Sequence, residues 1–272
     1  MQKCKILVRL EGGLGDCLLS NRFIPAIKEK HSNCTITAGY DNSRGEKYQL
    51  DILKEFYPSS YDSFEIFQNL KKENFDFFYD LHIDKMEWTK YDFDWLSRFY
   101  YFPKPEKNIN KKDFICVHLT HDKWEPKNLR KEYIEKLITE LYDQEKNIIA
   151  ICTEGEAKKY ENLLDKVTLK TGSAVEACVT VAESKAFITI DSGFKYIAYA
   201  YGVPTIETAD YYTSLGSTHP MIKARWLPFS ERGIPLYSDP KLFSLCLKNI
   251  TENRISSIFP FHNSNHETFQ IK

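Results

Sequence analysis

The sequence predicts an α/β protein in two halves, each built on a mostly parallel sheet. Three observations carry this. Apolar strand-like runs alternate with amphipathic helix-like runs from residue 5 to about residue 101. A polar stretch with two prolines, between residues 102 and 113, interrupts the alternation. The same alternation then restarts at residue 114. Repeated strand-helix-strand units imply parallel sheets with helical crossovers.

In the first half, residues 5–10 are an apolar strand. A helix over residues 17–31 places Leu18, Leu19, Phe23, Ile24 and Ile27 on one face, with Pro25 as a kink. Residues 35–38 form a short strand, 46–56 a helix, 75–81 an aromatic strand and 91–101 an amphipathic helix. In the second half the strands are 114–119, 147–152, 167–169, 187–190 and 204–207. The helices between them are 130–144, 156–164, 174–182 and 193–201, with a late helix at 242–250. The domains expected are therefore 1–105 and 114–250, joined by a linker at 106–113 and followed by a polar tail at 251–272. Ligands of such sheets bind at the carboxyl ends of the strands, so the site is expected in a cleft between the halves.

Composition narrows the function. The chain has 272 residues, 42% hydrophobic and 28% charged, with a formal net charge of -1. That is an ordinary globular composition and gives no reason to expect nucleic acid as a partner. No run of about 18 apolar residues predicts a membrane span, though peripheral contact stays open, and the N-terminus lacks a secretory signal pattern. Seven cysteines, none in a C-x-x-C pair, read as buried, reduced thiols of a cytoplasmic protein. The aromatic residues between Phe56 and Phe102 read as core, with rings presented to a ligand as the alternative.

The strongest local signal follows the first strand: Gly12-Gly13-Leu14-Gly15-Asp16. Glycines allow close backbone approach to a ligand, and a helix start supplies N–H groups and a favourable dipole. Asp16, held there in its charged form, has the makings of a general base. The spacing departs from a dinucleotide fingerprint, because Leu18 stands where G-x-G-x-x-G needs its third glycine. Asp41 does fall near the distance of a ribose-binding acid. A capped turn without chemistry accounts for the same residues.

Three loops of the second half follow strands and are expected on one sheet edge. The first is Thr120-His121-Asp122-Lys123-Trp124-Glu125-Pro126, the second Thr153-Glu154-Gly155-Glu156 and the third Asp191-Ser192-Gly193-Phe194-Lys195-Tyr196. Ser192, Gly193 and the following N–H groups suit a diphosphate, Lys123 its developing charge, and Glu154 or Glu156 a ribose or base. Taken singly, Asp191 and Ser192 read as an N-cap, Lys123 as a solvated lysine, and the glutamates as first-turn acids. His118, His121 and His219 lack metal-ligand spacing, so no metal site is predicted.

These motifs resemble the ADP-heptose:lipopolysaccharide heptosyltransferase-like family, glycosyltransferase family 9. The resemblance rests on Gly12-Gly13-Leu14-Gly15-Asp16-Cys17-Leu18-Leu19 with Pro25-Ala26-Ile27-Lys28. It rests further on Lys123-Trp124-Glu125-Pro126, and on the run from Phe187 through Asp191-Ser192-Gly193 to Gly202-Val203-Pro204-Thr205. It implies a GT-B fold of two Rossmann-like domains, with the acceptor on the first and the nucleotide-sugar on the second. It implies an inverting, metal-independent transfer of a sugar, a heptose among the candidates, in polysaccharide biosynthesis. The acceptor would be a glycan, a lipid-linked saccharide or a protein. By the resemblance Asp16 is the base and Lys123 and Thr120 contact donor phosphates or sugar. Gly13, Gly15, Glu154, Glu156, Asp191, Ser192, Gly193, Lys195 and Tyr196 complete the donor-binding set. No cofactor is implied beyond the co-substrate. Tyr196 replaces a histidine usual in that helix, with Lys195 beside it, and Glu207-Thr208-Ala209-Asp210 replaces the usual Gly-Pro-Thr. ADP-, GDP- and UDP-sugars all remain candidate donors, ADP first. A non-catalytic sugar- or nucleotide-binding relative, and an epimerase or dehydrogenase, are the alternatives.

Overall fold

A computed structural model describes residues 4–42, 48–81, 104–121, 128–129, 131–144, 146–190 and 192–207. The helices expected at 91–101 and 242–250, and the polar tail, lie outside the described residues, as do Lys123 and Asp191. The chain divides into two compact units, Met1–Asn108 and Ile109–Lys272. The polar stretch around that division is docked at both ends. The Glu106 N–H donates to the Phe56 carbonyl at 2.8 Å, and the Lys112 N–H to the Glu183 carbonyl at 2.7 Å.

The first unit contains β1 (Cys4–Leu10), α1 (Leu14–Asn21), α2 (Ile24–Lys30), β2 (Cys34–Tyr40), α3 (Tyr48–Phe56), β3 (Ser63–Ile66) and β4 (Phe77–Asp80). Its strands are parallel and ordered β3-β2-β1-β4. The second unit contains β5 (Ile115–His118), α4 (Lys131–Asp143), β6 (Ile148–Cys152), α5 (Glu154–Ala157), β7 (Thr168–Thr171), α6 (Ala174–Glu183), β8 (Ala186–Thr189), α7 (Phe194–Ala200) and β9 (Thr205–Glu207). Its strands are also parallel, ordered β7-β6-β5-β8-β9. Both sheets grow outward from their first strand and then reverse. This is an α/β, two-domain Rossmann-like architecture.

Ile6, Val8 and Leu10 share one face of β1 and are buried with their ladder partners Ile36, Ala38 and Tyr40 of β2, while Leu7 on the other face is fully buried too, as in a parallel sheet covered on both sides. In the second unit Ile115, Val117 and Leu119 join Ile134, Ile138 and Leu141 of α4 in one core cluster. The α4 residues recur at helical spacing, so one face of that helix enters the core. Ile138 is fully buried, and its truncation to Ala would cost about 2–5 kcal/mol through lost burial and the cavity left behind.

The structure corrects several expectations. The helix expected over 17–31 is two helices, α1 and α2, with Pro25 in the first turn of the second. A proline there lacks only an N–H that would have no helical partner, whereas inside a longer helix it would break a bond. Strand β3 was not expected. Its short Ser63-Phe64-Glu65-Ile66 alternation is visible only once β2 is there to pair with it. The helix expected to open at 156 opens at Glu154 and continues as 3-10 turns over Lys158–Leu163.

The cysteines are also not all reduced. Cys4 and Cys34 form a disulfide, because the β1–β2 register sets the two strand starts opposite each other, with Cα atoms 4.4 Å apart. Reading each cysteine within its own strand hides that juxtaposition. Cys17, Cys116, Cys152 and Cys178 are buried thiols outside any disulfide, as expected, and burial pushes the Cys17, Cys116 and Cys178 thiols up. Among the described residues no helix is long and apolar enough to cross a membrane.

Candidate functional site

In the first unit the strand order reverses between β1 and β4, and the chain leaves β1 at that reversal through Glu11 and Gly12. Gly12 adopts φ 97°, a conformation costly for any residue with a Cβ. Gly13 then opens α1 with φ -79° and ψ -179°. Asp16, the third residue of α1, turns its carboxylate back over this turn and accepts the Gly13 N–H at 2.7 Å. A Cβ on Gly12 would lie 2.3 Å from Asp16 Oδ2, so the carboxylate occupies space that only glycine leaves open. The Tyr40 hydroxyl, fully buried, donates to the Gly12 carbonyl at 2.9 Å. Gly15 packs buried within α1. Asp16 is thus an oriented carboxylate at a strand's carboxyl end, with 8% of its surface exposed. The N-terminal end of the helix favours its charge.

Arg9 binds the same strand end from the alternate face. Its guanidinium donates to Glu11 at 2.7 Å, to Asp80 at 2.9 Å and to Asp41 at 2.5 and 3.1 Å. Gln68 donates to the other Asp41 oxygen at 2.6 Å, and the Asp41 N–H to the Leu10 carbonyl at 2.7 Å. Burial alone would lower the Arg9 pKa. The bonds to Asp41 and Asp80 and the nearby charges outweigh it and raise the pKa. Asp41, at the sequence distance of a ribose-binding acid, therefore binds Arg9. Tyr40, Arg9 and Asp80 were not singled out from sequence. The register that brings them to Gly12 and to one another is a property of the sheet.

In the second unit β6, β5 and β8 are neighbouring parallel strands, so the loops after them share one edge. Thr120 is fully buried there, and among the described residues its Oγ1 has no hydrogen-bond partner. The Tyr160 hydroxyl lies beside it without bonding geometry. His118 ends β5 opposite Thr189 of β8 and packs edge-on against Phe194, ring centroids 5.0 Å apart. Among the described residues its buried Nδ1 has no hydrogen-bond partner. Burial, with a smaller contribution from His121, depresses its pKa to about 3, so the ring is neutral near pH 7. The His121 backbone is held by the Asn128 side chain.

After β6, Thr153 caps α5 and Glu156 returns a bond to the Thr153 N–H at 2.7 Å. Glu156 is 3% exposed and Glu154 is exposed. After β8, Ser192 Oγ lies 3.1 Å from Thr189 Oγ1, and Gly193 caps α7. Lys195 is almost fully buried, its Nζ 5.4 Å from the Tyr196 ring centroid. Tyr196 is buried edge-on against Tyr199. Thr120, Glu154, Glu156, Ser192, Gly193, Lys195 and Tyr196 thus all follow strands that end on this one edge. Gly13, Gly15 and Asp16 belong to the first unit.

No family model matches the sequence, and no curated protein matches it either. Solved structures do match. E. coli ADP-heptose LPS heptosyltransferase II is similar at TM-score 0.57 and 12% identity, over 76% of this chain and 85% of that one. E. coli heptosyltransferase WaaC with ADP gives 0.56 and 12%, over 76% and 88%. A Listeria monocytogenes protein assigned as a UDP-N-acetylglucosamine 2-epimerase gives 0.52 and 11%, over 94% and 90%. The fold is GT-B. At such identities the likeness speaks for the architecture alone.

Proposed function

We propose that the protein is an inverting glycosyltransferase that moves a sugar from a nucleoside diphosphate donor to a hydroxyl acceptor without a metal ion. The observation that carries this is the Asp16 carboxylate, oriented over a glycine turn at the reversal point of a parallel sheet. In the proposed reaction Asp16 takes the acceptor hydroxyl proton as the acceptor oxygen bonds to the anomeric carbon. The bond from that carbon to the phosphate oxygen breaks on the opposite side, and the nucleoside diphosphate leaves with its electron pair. Lys123 and Lys195 would offset the leaving charge. Thr120, Asp191, Ser192 and Gly193 would hold the diphosphate and sugar, and Glu154 or Glu156 the nucleoside. Similarity to a heptosyltransferase structure with ADP supports an ADP-sugar as first candidate and a heptose as one candidate sugar. The acceptor class is a glycan, lipid-linked saccharide or protein hydroxyl, and a cytoplasmic role in polysaccharide biosynthesis fits the reading.

A second reading has one observation in its favour. Asp16 makes the same bond that Glu156 and Glu176 make at the third position of their helices, to the N–H of the capping residue. A non-catalytic relative that binds a nucleotide or sugar would need no more of it than that. Thermal shift with ADP, GDP, UDP, CDP and NAD separates the readings, since a ligand bound only by the folded state raises Tm. A shift with one nucleoside diphosphate, followed by turnover of its sugar donors, supports the transferase. A shift without turnover of any donor supports the second reading. A shift with NAD alone overturns both in favour of a nicotinamide enzyme.

A further inference from the structure

We propose that Tyr40 is a positioning residue for Asp16, acting through a single peptide group. The inference rests on the reading of Asp16 as the base. The Gly12 carbonyl and the Gly13 N–H belong to the same peptide plane and point in opposite directions. The carbonyl accepts the Tyr40 hydroxyl at 2.9 Å, and the N–H donates to Asp16 Oδ2 at 2.7 Å. Fixing one end of a planar peptide fixes the other. The Tyr40 hydroxyl therefore sets which face of the Gly12–Gly13 peptide Asp16 meets.

This lock is needed because the peptide lies between two glycines. Rotating it by half a turn would change ψ of Gly12 and φ of Gly13. From -79° the Gly13 φ would become positive, a region open to glycine and closed to other residues at the extended ψ of -179° seen here. In the rotated state a carbonyl oxygen would face the Asp16 carboxylate and repel it. Nothing in the backbone of two glycines forbids that state. Tyr40 is well placed to do so. It is fully buried, ends β2 and is the ladder partner of Leu10, so its ring is held by packing beside the strand end that leads into Gly12. From the other side, Arg9 holds Glu11, the residue before Gly12.

The test uses the full chain and the variants Tyr40→Phe, Gly13→Ala and their combination. Phe keeps the ring and removes one oxygen, so Tm reports whether the fold survives. Amide exchange at Gly13 reads the lock without any substrate. In Tyr40→Phe it should quicken about 10-fold, the scale of one lost hydrogen bond, with β1 amides unchanged. Unchanged exchange at Gly13 overturns the proposal. With a donor that the wild type turns over, kcat should fall about 10-fold while KM for the donor stays the same. An alanine side chain at position 13 resists the positive φ of the rotated state. Tyr40→Phe should therefore cost about 10-fold in the wild-type background and less than about 2-fold in the Gly13→Ala background. Equal costs in the two backgrounds overturn the lock, as does a kcat that Tyr40→Phe leaves intact while Asp16→Asn abolishes it. If Tyr40→Phe fails to fold, 3-fluorotyrosine at position 40 keeps the ring and makes the hydroxyl a stronger donor: slower exchange at Gly13 than in wild type supports the lock, and unchanged exchange overturns it. If the wild type turns over no donor, the transferase reading fails, and the Gly13 exchange still decides the lock.

Discussion

Arg9 and Asp80 are partners in the β1–β4 ladder, and their side chains join at 2.9 Å across the point where the first sheet reverses its order. The same guanidinium reaches Asp41, just after β2, so one side chain ties three strand ends together. Each carboxylate is part-buried, and the Arg9 side chain is 17% exposed. Arg9→Met would remove from three neighbouring carboxylates the guanidinium they share. It should lower stability by about 1–3 kcal/mol, read as a shift in the urea midpoint. Arg9→Lys should recover only part of this, because an ammonium cannot reproduce the fork. A full recovery with Lys would show that charge alone matters.

Gly12→Ala should be more damaging than its size implies. The backbone at φ 97° costs an alanine about 1–2 kcal/mol, and its methyl would meet Asp16 at 2.3 Å. Either the turn or the carboxylate has to move. The expected outcome is a lower Tm together with lost turnover. Retained turnover at wild-type level would mean that the carboxylate's position is not needed.

Asp16→Asn keeps the shape of the side chain and most of the cap while removing the base. Turnover should fall at least about 100-fold with donor affinity nearly unchanged, the usual scale for a general base. Isothermal titration with the donor nucleotide alongside steady-state rates makes the comparison. An equal loss of donor affinity would count against a base role.

His118 gives the second unit a pH dependence with a definite sign. Its pKa is about 3 when folded, against an ordinary value of 6.5. Below pH 6.5 the unfolded chain binds a proton that the folded chain refuses. Stability from this group is therefore complete above pH 6.5 and is lost as pH falls from there toward 3. The slope is at most about 1.4 kcal/mol per pH unit. His118→Leu should flatten that slope in urea titrations between pH 6.5 and 4. An unchanged slope would place the acid sensitivity elsewhere.

The fold was legible in the sequence because its signals are local. Apolar runs mark β1, β5, β6 and β8, and the amphipathic period of α4 marks a core-facing helix. The turn at Gly12–Asp16 was legible for the same reason, since glycines and an acid at a helix start lie within five residues, but the helix expected from residue 17 opens at Leu14, so Gly13 is the capping residue and Asp16 the third helical one. Gly12 itself was read only as one glycine among three. Its φ and the contact with Asp16 require the folded turn. What sequence could not show depends on which strands become neighbours. The Cys4–Cys34 pair, the Tyr40 hydroxyl on Gly12 and the Arg9 fork to Asp41 and Asp80 all arise from ladder register, between residues 28 to 71 positions apart. Thr120 was expected on donor grounds. Its burial, and an Oγ1 without a hydrogen-bond partner among the described residues, depend on the packing at the end of β5.

The second sheet repeats the strand order of the first and adds β9, and among the described residues every strand pair lies within a single unit. Under the proposed reading this decouples two kinds of change over evolution. Substitutions after β5, β6 and β8 can retune the leaving nucleotide without disturbing any ladder that shapes the Asp16 turn. Proton removal and donor choice would then rest on ladders that share no strand.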